Sequence, residues 1–222
     1  MSMFKTITRL LTFSLTGEDM LQLNRKHFIA GLIGTWVVGM GRYWDDKGAS
    51  LVQHLGLGSL IYIFLLAGFI WLIVLPFKVD RWEYFTVVTF IGLTSFPAIL
   101  YAIPVERFLS YRGANTLNVW FLAIVAIWRL CLLYYFLKCF TQLSIWNVLT
   151  ITLMPVCLII SILTALNLHR VVFDIMSGNT RHSPHDDSYL VLMILTIVSM
   201  ILTLPLLIAY FYGIYKRHKK LV

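Results

Sequence analysis

Long apolar runs broken by short polar stretches dominate this chain. Residues 55–77, 84–105, 143–168 and 189–215 contain no charged side chain, and 117–137 contains one, Arg129. An α-helix needs about 20 predominantly apolar residues to cross a bilayer, so each of these five runs predicts a crossing. A sixth run, 27–43, is shorter; its uncharged stretch is confined to 28–41. Length alone does not decide a run of that size.

Charge decides it at the level of sequence. If 27–43 crosses and the N-terminus is cytoplasmic, one side collects eleven basic residues: Lys5, Arg9, Arg25, Lys26, Lys78, Arg81, Lys138, Lys216, Arg217, Lys219 and Lys220. The other side collects six: Arg42, Lys47, Arg107, Arg112, Arg170 and Arg181. Such asymmetry is what the positive-inside tendency demands. Without that crossing most of the asymmetry disappears. The expectation is an all-α, polytopic transmembrane helical bundle of about six crossings, five long and one short, with both termini cytoplasmic.

The first 26 residues read differently. Phe4, Ile7, Leu11 and Leu15 recur at helical spacing with Lys5, Arg9 and Thr12 elsewhere on the wheel. That pattern predicts an amphipathic interfacial helix on the cytoplasmic surface. A signal peptide does not fit, because Ser14, Thr16, Gly17, Glu18 and Asp19 interrupt the apolar run. The chain thus divides into a cytoplasmic amphipathic segment (1–26), a transmembrane domain (27–215) and a basic cytoplasmic tail (216–222). Gly31, Gly34, Gly39 and Gly41, followed by Gly56, Gly58 and Ser59, predict a tight hairpin of the first two crossings, since small residues let helix backbones approach closely. Thr94/Pro97, Thr152/Pro155 and Thr203/Pro205 predict helix breaks or kinks.

Composition agrees with this reading: 59% of the 222 residues are hydrophobic, 13% are charged, and mean hydropathy is +0.83. The net charge of +8 would suggest nucleic acid in a soluble protein; here it sits in short loops and tails, and no nucleic-acid partner is expected. Cys131, Cys139 and Cys157 make no disulfide framework and read as small buried hydrophobes.

No nucleophile elbow, phosphate loop or dinucleotide fingerprint is present. Candidate chemistry gathers in the loops assigned to the outer side. Asp45, Asp46, Glu106, Arg107 and Arg112 are candidate ligand-binding groups. His182-x-x-His185-Asp186, with His54, is a candidate metal set, since imidazole and carboxylate suit zinc and similar ions. A solvated polar loop accounts for the same residues. No cofactor is expected beyond a divalent ion at that face.

Arg129 is the most informative residue. A charge at the depth of a crossing is expensive and turns toward the bundle interior or a water-filled cavity. No crossing contains Asp or Glu. Arg129 is left with backbone carbonyls, Asn147 or Asn167, water, or an external anion such as a lipid headgroup. Arg129 as an anion-binding group and Arg129 as a purely structural tie both remain open.

The stretch 94–129, with Ile103-Pro104-Val105-Glu106-Arg107-Phe108 and Ala126-Ile127-Trp128-Arg129, resembles uncharacterised bacterial polytopic inner-membrane proteins. Some of these are grouped with the Yip-type family of membrane-trafficking proteins, which have about five crossings and a cytoplasmic N-terminus. The Asp-Leu-Tyr-Gly-Pro motif of the eukaryotic members is absent. The resemblance implies a bacterial inner (plasma) membrane location and a non-enzymatic scaffold, and carries over no site residue.

Three function classes follow. One is a membrane component that binds or moves a small or lipidic anionic ligand. Another is a scaffold or accessory subunit acting through a homo-oligomer or a membrane partner. The last is a membrane-embedded metal-dependent hydrolase.

Overall fold

The computed structural model describes residues 3–44, 48–177 and 187–219; for 106, 111, 112, 174–177 and 187–189 it describes the backbone course alone. Every regular element among the described residues is helical. In order these are α1 (Met3–Leu11), α2 (Gly17–Leu21), α3 (Arg25–Gly41), α4 (Leu51–His54), α5 (Leu57–Val74), α6 (Tyr84–Leu93), α7 (Tyr111–Thr141), α8 (Ile145–Ala165), α9 (His169–Ser177) and α10 (Asp187–Lys219). Three 3-10 segments, Leu75–Phe77, Phe96–Ala102 and Val105–Arg107, supplement them.

Five segments are long and apolar enough to cross a membrane: Leu57–Phe77, Tyr84–Ala102, Gly113–Thr141, Ile145–Ala165 and Leu190–Lys219. Their outward faces are apolar too. On α5, Ile63, Ala67, Ile70 and Val74 are buried, while Ile61, Leu65 and Leu72 are exposed. On α10, Ile201, Leu204, Ile208 and Phe211 are all exposed. Water does not tolerate so continuous an apolar surface, whereas lipid solvates it. The chain is an all-α, polytopic integral membrane protein.

The sixth expected crossing, α3, is helical over 17 residues, about 26 Å at 1.5 Å per residue. It runs parallel to α6 and the 3-10 segment that follows. Phe28 stacks beside Phe85, Gly31 meets Gly92, Gly34 meets Phe96 and Gly41 meets Ala102. α3 is therefore coextensive with the candidate span Tyr84–Ala102.

The glycines explain the closeness. A Cβ at Gly31 would lie 3.0 Å from the Gly92 carbonyl carbon, so the two backbones touch directly. Thr35 Oγ1, beside them, donates to the Gly31 carbonyl at 2.8 Å and lies 2.9 Å from Ser95 Oγ. Gly39 does face Gly56 and Ser59, as a hairpin of the first two crossings requires. Gly31 and Gly34, by contrast, serve α6, and no heavy atom lies within 4 Å of a Cβ at Gly58. Gly56 adopts φ +64° at the start of α5, the left-handed conformation that glycine adopts without penalty.

α6 ends at Leu93, and Pro97 stands in the first turn of the 3-10 segment Phe96–Ala102, where its missing N–H costs no helical bond. Pro155 and Pro205, by contrast, sit inside α8 and α10, which continue through them without a break. The three cysteines are free: Cys157 is buried, Cys139 half-buried and Cys131 exposed, so Cys131 departs from the buried hydrophobe expected of it.

Contacts divide the chain into two units, Met1–Ile103 with Ile127–Ser144, and Pro104–Ala126 with Ile145–Val222. In the first, the end of α7 packs through aromatic rings: Phe136 stacks on Phe90 with centroids 4.0 Å apart, and Trp82 borders Phe136 and Phe140. In the second, α8 and α10 pack along their length. Ser161 and Thr203 hydroxyls join them at 2.8 Å, and Thr203 also donates to the Ser199 carbonyl.

Residues 3–23 form a strap on the first unit. Leu10, Leu15 and Met20 are fully buried. The buried face of α1 is Thr6 and Leu10; of the expected apolar stripe, Phe4 is 79% exposed, Ile7 and Leu11 are half-buried, and Leu15, beyond the helix, is fully buried. Trp128 Nε1 donates to the Leu11 carbonyl at 3.2 Å, and Tyr135 O–H donates to the Leu15 carbonyl at 3.0 Å. The Leu11 carbonyl is one of those left over where α1 ends, and the Leu15 carbonyl lies in the link before α2; both need partners from outside a helix. Arg9 clips the strap to itself, donating to the Ser14 carbonyl at 2.8 Å and pairing with Asp19 at 3.0 Å.

Candidate anion-binding site

Arg129 lies on α7, one residue after the Trp128 that holds the strap. Its guanidinium carbon sits 5.7 Å from the centroid of the Tyr62 ring, which α5 supplies. The Tyr101 phenol, at the end of the 3-10 segment, lies within electrostatic reach of both Arg129 and Arg42. Arg42 caps the C-terminal end of α3, its guanidinium carbon 5.3 Å from the ring centroids of Tyr43 and Tyr101. Trp44 Nε1 donates to the Ala102 carbonyl at 2.9 Å, tying the chain after Arg42 to the end of the 3-10 segment. Four sequence-remote stretches thus place two guanidiniums around one phenol.

Arg129 Nη2 is buried and has no hydrogen-bond partner among the described residues. Trp71 Nε1, His169 Nδ1 and Thr196 Oγ1 share that condition, but of the four groups only the guanidinium is permanently charged. The face of Tyr62 offers a quadrupole, about 0.5–2 kcal/mol of attraction. It offers no acceptor for an N–H. A buried donor without a partner, on a charged group, is costly, and an oxyanion is the partner whose geometry a guanidinium matches best.

A second polar cluster behaves differently. Thr6, Asp19, Gln22, Asn24 and His27 line a cavity of about 150 Å³ under the strap. Its groups are mutually satisfied: His27 Nε2 lies 3.2 Å from Thr6 Oγ1, Asn24 N–H donates to His27 Nδ1 at 3.3 Å, and Thr16 N–H and Oγ1 both donate to Asp19. Those Thr16 bonds, then Arg9, hold the Asp19 carboxyl below its ordinary pKa. The cluster is a structural latch.

The other candidates from the sequence fall in several places. Arg107 is exposed in the 3-10 turn Val105–Arg107 and belongs to the second unit. Arg112 is in the first turn of α7, and Glu106 is in that same 3-10 turn; the side chains of both lie outside the described residues. Asp45 and Asp46 also lie outside them, as do His182, His185 and Asp186. His54 ends α4 and is half-buried. Among the described residues no group of three or more His, Cys, Asp or Glu side chains is placed to hold a metal ion.

Tyr62 and Tyr101 were not singled out by sequence reasoning, and Arg42 was noted only as an outer-loop charge. The available signal was weak: tyrosines near the ends of apolar runs read as interfacial aromatics. Only the parallel register of α3 and α6 brings Arg42 to Tyr101.

Comparison with family models, with curated proteins and with solved structures finds no match for this chain.

Proposed function

We propose that this protein binds an anionic ligand carrying a phosphate-type oxyanion, either a lipid headgroup or a free small anion, at Arg129, and that it does so without catalysing a reaction. The observation that carries this reading is Arg129 Nη2, a buried charged donor with no acceptor among the described residues, on a helix apolar enough to cross a membrane. Intramembrane charges are rare and tend to mark ligand or ion sites. Tyr62 holds the guanidinium from one side.

The topology proposed with it has six crossings, including α3, with both termini cytoplasmic in a bacterial inner membrane. It rests on the asymmetry of basic residues and on the match in extent between α3 and the span Tyr84–Ala102.

The test is quantification of phospholipid and inorganic phosphate co-purified with wild type and with Arg129→Leu. Stoichiometric phospholipid lost in the variant supports a headgroup ligand. Phosphate exchange without lipid, also lost in the variant, supports a free anion. Equal retention of both by the two proteins overturns the reading.

A further inference from the structure

We infer that the N-terminal strap, residues 3–23, is the device that positions Arg129, so that strap docking and anion binding strengthen each other. The inference rests on the anion-binding reading above.

Trp128 and Arg129 are neighbours on one turn of α7 and point to different partners. Trp128 is bonded to the strap through the Leu11 carbonyl, whereas Arg129 faces the Tyr62 ring. The strap follows the same face of α7 downward: Tyr135 bonds to the Leu15 carbonyl, Phe13 packs edge-on against the Tyr135 ring at 5.8 Å, and Gly17 lies against the Cys139 carbonyl. Positions 128, 135 and 139 are spaced by seven and four residues, which is one stripe of a helix. A strap gripping that stripe fixes the rotation of α7, and rotation decides where Arg129 points.

That grip has a specific consequence. Arg129 Nη2 is held without an acceptor among the described residues, and a long guanidinium side chain free to move would swing toward water or headgroups. The burial of Leu10, Leu15 and Met20, with the two bonds from α7, opposes that escape and keeps the site preorganised. A ligand that satisfies Nη2 removes the tension and so stabilises the docked strap, because coupling between two equilibria is reciprocal.

Cys139 reports strap docking. In a Cys131→Ser/Cys157→Ser background, its labelling rate by a small maleimide is measured in nanodiscs of phosphatidylglycerol and of phosphatidylcholine, and bound phosphatidylglycerol is quantified in the same detergent-extracted samples. Phosphatidylglycerol is expected to slow labelling by about fivefold, the low end of ordinary coupling, and Arg129→Gln to abolish that lipid dependence. Gly17→Val, whose Cβ would lie 2.7 Å from the Cys139 carbonyl oxygen, is expected to release the strap, speed labelling and weaken lipid retention about tenfold. Trp128→Phe/Tyr135→Phe removes both donors but leaves an aromatic ring at each position, and gives the same directions if the valine variant does not fold. Labelling that ignores the lipid in wild type, with retention still dependent on Arg129, overturns the strap and leaves the anion site standing. Labelling accelerated by phosphatidylglycerol reverses the sign of the coupling and also overturns it. Absence of both retained phosphatidylglycerol and bound inorganic phosphate in wild type, with no effect of either on labelling, brings down both.

Discussion

Arg129 holds its guanidinium 5.7 Å from the centre of the Tyr62 ring while Nη2 meets no hydrogen-bond acceptor among the described residues. The ring supplies attraction without direction, and the buried N–H remains available for an oxyanion. Tyr62→Phe keeps the ring face and is expected to leave anion affinity within about twofold of wild type. Tyr62→Leu removes a cation–π contact of about 1 kcal/mol and is expected to weaken binding by about fivefold. Phosphatidylglycerol titration followed by scintillation proximity distinguishes the two; equal losses in both variants would show that the ring face plays no part.

The approach of α3 to α6 depends on two hydrogen atoms where side chains would otherwise stand. Inside a bilayer, packing rather than hydrophobicity drives helix association. Gly31→Val puts carbon atoms against the Gly92 backbone and is expected to destabilise the fold by roughly 2–3 kcal/mol. Gly58→Ala is expected to be neutral, because nothing lies within 4 Å of its Cβ. Thermal unfolding in one detergent, monitored by circular dichroism, compares them directly. A neutral Gly31→Val would contradict the α3–α6 contact.

Phe136 is fully buried and stacked on Phe90. Phe136→Ala opens a ring-sized cavity and is expected to cost about 3 kcal/mol; Phe136→Leu fills part of it and is expected to cost less than half as much. The readout is unfolding midpoint in a denaturing detergent series. Similar midpoints for the alanine variant and wild type would mean that the end of α7 is not packed in this way.

Asp19 gives the strap a pH dependence with a definite sign. Its carboxyl is held below its ordinary pKa, first by Thr16 hydrogen bonds and then by Arg9. A group whose native pKa is depressed contributes stability that is present above its unfolded pKa and lost as pH falls through the native value. The α2 cap is therefore expected to be intact from neutral pH down to about pH 5 and to fail below about pH 4. Amide hydrogen exchange at Thr16 and Asp19 between pH 3 and 7, corrected for intrinsic rates, reads this out. Asp19→Asn is expected to remove most of the pH dependence; its persistence in that variant would assign it to another group.

Much of the fold was legible because lipid imposes a simple rule: a helix that crosses must stay apolar for the thickness of the bilayer. The long runs announced themselves, and Pro97 marked the place where α6 gives way to a 3-10 segment. Which glycine meets which was not legible. Gly31 and Gly39 lie on one helix, yet one serves α6 and the other α5, and only tertiary register separates them. Arg129 stood out because a charge inside an apolar run is conspicuous in any sequence. Its neighbours did not, because Arg42, Tyr62 and Tyr101 come from three remote segments and each is unremarkable alone. The N-terminal stripe of Phe4, Ile7, Leu11 and Leu15 was visible as an amphipathic pattern; that only Leu15 of it is fully buried, and that Thr6 and Leu10 on another face dock against the protein, required the structure.

Native mass spectrometry of gently solubilised wild type and Arg129→Gln, titrated separately with phosphatidylglycerol and inorganic phosphate, tests the central claim most directly. The account predicts one bound phosphate-bearing species per chain in wild type, with occupancy at least about tenfold lower in Arg129→Gln, a loss of one charge-assisted contact. Equal occupancy in the two proteins, with both folded, would contradict it.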